Sequence, residues 1–234
     1  MRIITSIIGF LAIASVFAGS PAESLTKLKE GNARFVAGAN KYSGVDQARR
    51  TETTTNGQHP YVTILSCSDS RVPLEYIFDA GIGELFVIRV AGNVVDTDEA
   101  GSIEYGIGHL HTPLLVVLGH SHCGAVTAVA KGAEVHGNIP KLVDNIAPAV
   151  QRAKASHGTE VNDVLINKAI EENVWQSIED LLSISAETIE LIHEGKLQVV
   201  GAIYDLEKGS IQWLGEHPQQ SKLMEKKEST HSNH

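Results

Sequence analysis

Apolar runs alternate along this chain with stretches of helical period. Residues 61–66 (YVTILS), 85–90 and 114–118 (LLVVL) are apolar with no polar alternation, as expected of strands covered on both faces. Residues 197–204 form a fourth such run, and 210–214 read as a fifth strand at an edge. In 23–39, Leu25, Leu28, Phe35 and Val36 recur near helical spacing. Pro73 opens a short helix, a position where its missing N–H costs nothing. Residues 98–110, 123–131, 139–155 and 161–194 also read as helices, the last broken near 183–185. Residues 40–58, rich in Thr, Asn and Gly, read as a surface loop. Residues 218–234 are polar and charged, and read as a disordered tail. Strands alternating with helices predict an α/β fold: a mainly parallel central sheet flanked by helices, forming one domain over 23–217.

The chain has 234 residues, of which 42% are hydrophobic, enough for one domain with a sizeable core. Its formal charge of −9 offers no basic face and argues against a nucleic-acid partner. The first residues are not expected to belong to the fold. Arg2, an apolar run and Val16-Phe17-Ala18 read as a signal peptide over 1–18, with cleavage near 18–22 and an exported, periplasmic product. The alternative is an uncleaved anchor, against which the run is short. The mature form is expected to have no stable membrane span.

The only two cysteines carry the chemistry. Cys67 opens Cys67-Ser68-Asp69-Ser70-Arg71 just past the first predicted strand. Cys123 closes His120-Ser121-His122-Cys123 just past the third. Open α/β sheets gather ligands beyond the carboxyl ends of their strands, so both segments should meet at one rim. Two thiolates and one imidazole form a zinc donor set, and the fourth position can hold Asp69 or water. Asp69 and Arg71, two apart, point the same way in an extended segment, and a bidentate pair would hold the carboxylate off the metal. A coordinated water there would have a pKa near about 7. One disulfide is the competing reading for two cysteines in an exported chain, but it leaves His120 and Asp69 without a purpose. His122 reads as solvent-facing, and His109 and His111 as residues capping a helix end. Glu171, Glu172, Glu179 and Asp180 read as a solvated helix face.

The segments CSDSRVP (67–73), GELFVIRVAGN (83–93), SIEYGIGHL (102–110) and VVLGHSHCGAV (116–126) closely resemble the β-class carbonic anhydrases, and LKEGNARFVAG (28–38) resembles that family's first helix. The resemblance implies reversible hydration of carbon dioxide to bicarbonate and a proton. It implies one Zn2+ per subunit, held by Cys67, His120 and Cys123, with Asp69 a fourth ligand only in a closed state. Asp69 and Arg71 would gate and orient. Gln58, Phe86, Ala91, Tyr105 and Gly124 would line the substrate pocket, in a homodimer or homotetramer where Gln58, Phe86 and Tyr105 reach a neighbour's site. The near-7 value comes from a three-histidine carbonic anhydrase on another fold; only the principle carries over. Ala91 stands where a valine is common. Ile64 stands where members regulated by a second bicarbonate site carry tryptophan, so an open site without that regulation is expected. His59, His122 and His136 are candidates for carrying the released proton. Two other readings remain: hydrolysis of carbonyl sulfide or carbon disulfide on the same fold, and a non-catalytic zinc-binding protein.

Overall fold

The apolar runs pair side by side in a computed structural model that describes residues 19–231. The expected signal peptide, 1–18, lies outside the described residues. The order is α1 (Pro21–Val36), α2 (Gln47–Asn56), β1 (Val62–Ser66), α3 (Leu74–Ile77), β2 (Leu85–Arg89), α4 (Thr97–Glu104), β3 (Leu114–His120), α5 (Gly124–Lys131), α6 (Ile139–Asp144), α7 (Ala147–His157), α8 (Asp163–Ile184), α9 (Ala186–His193), β4 (Gln198–Tyr204), β5 (Ile211–Gly215) and α10 (Gln220–His231). A 3-10 turn (Ala91–Asn93) follows β2, and a π-helical turn (Tyr105–His109) continues α4.

The sheet order is β2-β1-β3-β4-β5. The first four strands are parallel and β5 is antiparallel to β4, as the alternating pattern predicts. Side chains of one parity, among them Ile64, Val116 and Val200, pack with Leu28 of α1 and Phe78. Those of the other parity, among them Leu65, Val117 and Val199, pack with Ile103 of α4 and with Val174 and Ile178 of α8. Both faces are therefore covered, which is why these strands lack polar alternation. A third apolar cluster wraps Cys67 and Cys123 with Val126, Ile146, Val150 and Ile170.

Three expectations differ from the structure. The loop expected over 40–58 contains helix α2. Asp46 caps it by accepting from Arg49 N, and Thr53, Thr54 and Thr55 hydroxyls donate to carbonyls four residues back. A threonine run looks non-helical by propensity but satisfies itself this way once a helix is capped. The tail expected to be disordered is helical over Gln220–His231. Met224 is buried in the α4–α8 cluster, with Leu223 against its edge, and one buried Met is worth about 1.5–3 kcal/mol. The acidic face of α8 is a network rather than bare solvated charge. Arg152 of α7 bonds Glu172 Oε2 (3.0 Å) and Gln176 Oε1 (2.6 Å), and His217 Nε2 lies 3.2 Å from Glu179 Oε1.

Burial raises the Asp180 carboxyl from its ordinary 3.8 to about 6; Glu179 adds to the rise, while Gln176 and Arg152 oppose it. The folded state thus binds this proton more tightly than the unfolded chain. Its contribution to stability is complete below about pH 4 and is lost as the pH climbs through about 6. Asp180→Asn is expected to leave the melting temperature little changed at pH 4. At pH 7.5 it should raise stability by about 1–2 kcal/mol, allowing for screening at a partly exposed site. An equal gain at both pH values would contradict this.

Candidate metal centre

The parallel register brings the two motifs to one rim. Ser66, the last residue of β1, lies opposite Leu118, and β3 continues to His120. Cys67 therefore sits one step past that pair and His120 two steps past it, on strands about 4.8 Å apart. The chain then turns through His122, whose φ of 54° is left-handed, and Cys123 precedes α5. Ser121 pins the turn to β4: its N–H donates to Tyr204 O (2.9 Å), and its Oγ accepts from Leu206 N (2.9 Å).

One donor atom each from Cys67, His120 and Cys123 lies within 4.8 Å of the others, and all three residues are buried. The two cysteines are unbridged. His120 Nδ1 lies 2.9 Å from Ser121 O, a contact that requires Nδ1–H and leaves the lone pair on Nε2. That Nε2 is buried and finds no hydrogen-bond partner among the described residues. An orphaned imidazole nitrogen beside two sulfurs fits a soft or borderline dication such as zinc. The sulfurs point to the same need. Cys123, with lesser help from the Gly92 N–H (3.3 Å to Sγ), pulls the Cys67 thiol well below its ordinary range against the effect of burial. The same sulfur contact, with burial, pushes Cys123 up. Two buried thiolates this close together require a cation.

Asp69 stands beside these donors, 3.8 Å from His120 Nε2 through Oδ2. Arg71 grips it at both oxygens, Nε to Oδ1 at 2.9 Å and Nη2 to Oδ2 at 2.7 Å, and adds its own N–H to Oδ1 at 2.9 Å. The guanidinium bond is the largest reason that the Asp69 carboxyl sits well below the usual carboxylate range. Arg89 holds the same segment from the neighbouring strand, with Nε on Cys67 O (3.0 Å) and Nη2 on Asp69 O (2.6 Å).

The other expected site residues divide. Ala91 adjoins Gly92 at the rim, and Gly124 begins α5 immediately after Cys123. Phe86 pairs in register with Thr63, three residues or about 10 Å back from the rim pair Ser66–Arg89. Its ring packs on Tyr105 at 5.7 Å between centroids, and Tyr105 stacks on His109 at 4.7 Å. Gln58 is exposed on the segment before β1. These three do not gather around Cys67 within one chain. His122 is exposed as expected, and its carbonyl lies 3.4 Å from Arg71 Nη2.

Comparison with known proteins agrees with this geometry. The family model for carbonic anhydrase matches residues 62–211. Carbonic anhydrase 2 of Mycobacterium tuberculosis is 37% identical over 194 residues, covering 81% of this chain and 91% of that one. The carbonic anhydrase of Mycolicibacterium smegmatis is 33% identical over 197 residues, covering 82% and 93%. The crystal structure of the β-carbonic anhydrase CafA of Aspergillus fumigatus superposes with a TM-score of 0.71 at 25% identity, covering 89% and 97%. The chain belongs to the β-carbonic anhydrase family.

Three supports of this β-carbonic anhydrase centre escape a reading of the motifs alone: Arg89, Asn173 and Ser177. Arg89 is a single charge closing an otherwise apolar strand, a signal visible in the sequence. Asn173 and Ser177 lie on the buried side of α8 with Ala169 and Leu181 at four-residue spacing. They are polar residues on an apolar stripe.

Replacing any one of Cys67, His120 or Cys123 by alanine is expected to drop bound zinc from about one ion per chain to well below that. Gln58→Ala should keep the full complement. Retention of metal by the Cys67→Ala chain, measured by elemental analysis after dialysis, would contradict the assignment.

Proposed function

We propose that this chain carries out zinc-dependent reversible hydration of carbon dioxide to bicarbonate and a proton, with Cys67, His120 and Cys123 holding the ion. The observation that carries the reading is the orphaned His120 Nε2 beside two sulfurs, with Asp69 tied back by Arg71 at the same spot. Zinc, when bound by such a set, supplies a Lewis acid that makes water acidic enough to act as a nucleophile near neutral pH.

The chain's own residues do the rest. Asp69 is ionised throughout the neutral range because Arg71 depresses its carboxyl. Its Oδ2 faces the donors and keeps a lone pair beyond the Arg71 bond, so it accepts a hydrogen bond from the attacking oxygen and fixes that oxygen's orientation. The carboxylate itself stays off the ion as long as the guanidinium holds it. The N–H of Gly124, at the start of α5, is the donor for a substrate oxygen. Ala91 forms part of the pocket wall.

The functional unit is a homo-oligomer in this reading. Phe86, Tyr105 (45% exposed) and Gln58 line the carbon dioxide path of a neighbouring copy rather than their own. Support comes from their distance from Cys67 and from β2, which is an edge of the sheet. Export rests on residues 1–18. The described residues follow directly, and Ser20 and Glu23 form a capping box at the start of α1. Among the described residues no helix is long and apolar enough to cross a membrane.

Stopped-flow proton release by the zinc-loaded chain should exceed the buffer rate by orders of magnitude. It should be lost in Cys67→Ala. Arg71→Met should keep its zinc yet lose about tenfold or more in rate, since the freed carboxylate lies close enough to compete for the ion. A zinc-loaded wild-type chain no faster than buffer would refute the function. An unimpaired Arg71→Met would refute the role of the pair.

A further inference from the structure

Asn173 and Ser177 lie one turn apart on α8, behind the metal centre, at 1% exposure each. Their side chains grip a single feature. Asn173 Nδ2 donates to Gly92 O at 2.7 Å, and the Ser177 hydroxyl proton is shared between Asn93 O at 2.8 Å and Asn173 O of its own helix at 2.9 Å. Gly92 and Asn93 form consecutive left-handed residues, with φ of 75° and 46°. Asparagine enters that conformation more readily than other non-glycine residues, and α8 holds this turn at both carbonyls. Packing adds to the grip, because a Cβ on Gly92 would come within 2.6 Å of Ile146 Cδ1. From this turn Gly92 N donates to Cys67 Sγ at 3.3 Å. Two buried side chains on a distant helix thus aim one N–H at one metal-binding sulfur. Asn173 Oδ1 meanwhile has no partner among the described residues, so the amide is poorly explained as a stabilising core residue.

We propose that Asn173 and Ser177 are positioning residues that set the donor strength of the Cys67 sulfur through the Gly92 N–H. The inference rests on the metal reading above. An N–H bond to a thiolate withdraws electron density from it and weakens its donation to the ion, and contacts beyond the ligands commonly tune metal sites in this way. Releasing the turn therefore makes the sulfur richer in electrons. The effect is carried by one ligand and leaves Cys123 and His120 in place.

The test uses the full chain loaded with cobalt(II), read by its sulfur-to-metal charge-transfer absorption. In Asn173→Leu the band is expected to move to longer wavelength, and in Ser177→Ala to move less in the same direction. Ile178→Val, which trims a methyl from the same helix and touches none of these bonds, is expected to lower the melting temperature and leave the band in place. If Asn173→Leu does not fold, Ser177→Ala decides alone: a shifted band supports the inference and an unmoved one overturns it. An unmoved band in both variants overturns this inference while the metal reading stands. A wild-type cobalt form with no charge-transfer band overturns both.

Discussion

Two sulfurs and an imidazole nitrogen lie within 4.8 Å of one another in an apolar pocket, where both sulfurs can be thiolates only beside a positive partner. Burial disfavours the anionic form of each thiol, and each thiolate disfavours the other. The protein meets this in part with the Gly92 N–H, which donates to Cys67 Sγ. The remaining deficit is the electrostatic demand for a dication. The rest of the centre is arranged around that demand. Ser121 fixes the imidazole tautomer, Arg71 restrains the nearby carboxylate, and Arg89 and α8 fix the segments bearing the ligands.

The fold meets the demand through register and close approach. Parallel pairing of β1 with β3 sets Cys67 and His120 at one rim, and the turn after β3 returns Cys123 to the same place. Helix α8 closes the back. It comes so near that a Cβ on Gly119, the residue before His120, would lie 2.8 Å from Val174 Cγ2. One helix therefore braces both ligand-bearing segments, by apolar contact behind His120 and by hydrogen bonds behind Cys67.

Much of this was legible in the sequence. Uninterrupted apolar runs marked the parallel strands, and cysteines and histidine placed just past two of them marked the rim. What escaped were features that depend on tertiary partners. The threonines of α2 disguised a helix because their hydroxyl bonds to the backbone do not appear in propensity. Leu223 and Met224 gave too small an apolar signal to reveal α10, whose stability comes from docking on α8. Glu172 and Glu179 looked like solvent-facing charge because Arg152 and His217, their partners, lie far away in the chain. Gln58, Phe86 and Tyr105 belonged to the expected pocket by motif. They were expected to serve a neighbouring copy, and the β1–β2 register sets Phe86 back from the rim accordingly.

X-ray absorption at the zinc edge, on the full chain loaded with zinc at neutral pH, tests most directly whether these buried donors share one cation. Two sulfur scatterers and one imidazole are expected in the coordination shell, with the remainder light atoms. A shell containing no sulfur, or only one, would contradict this.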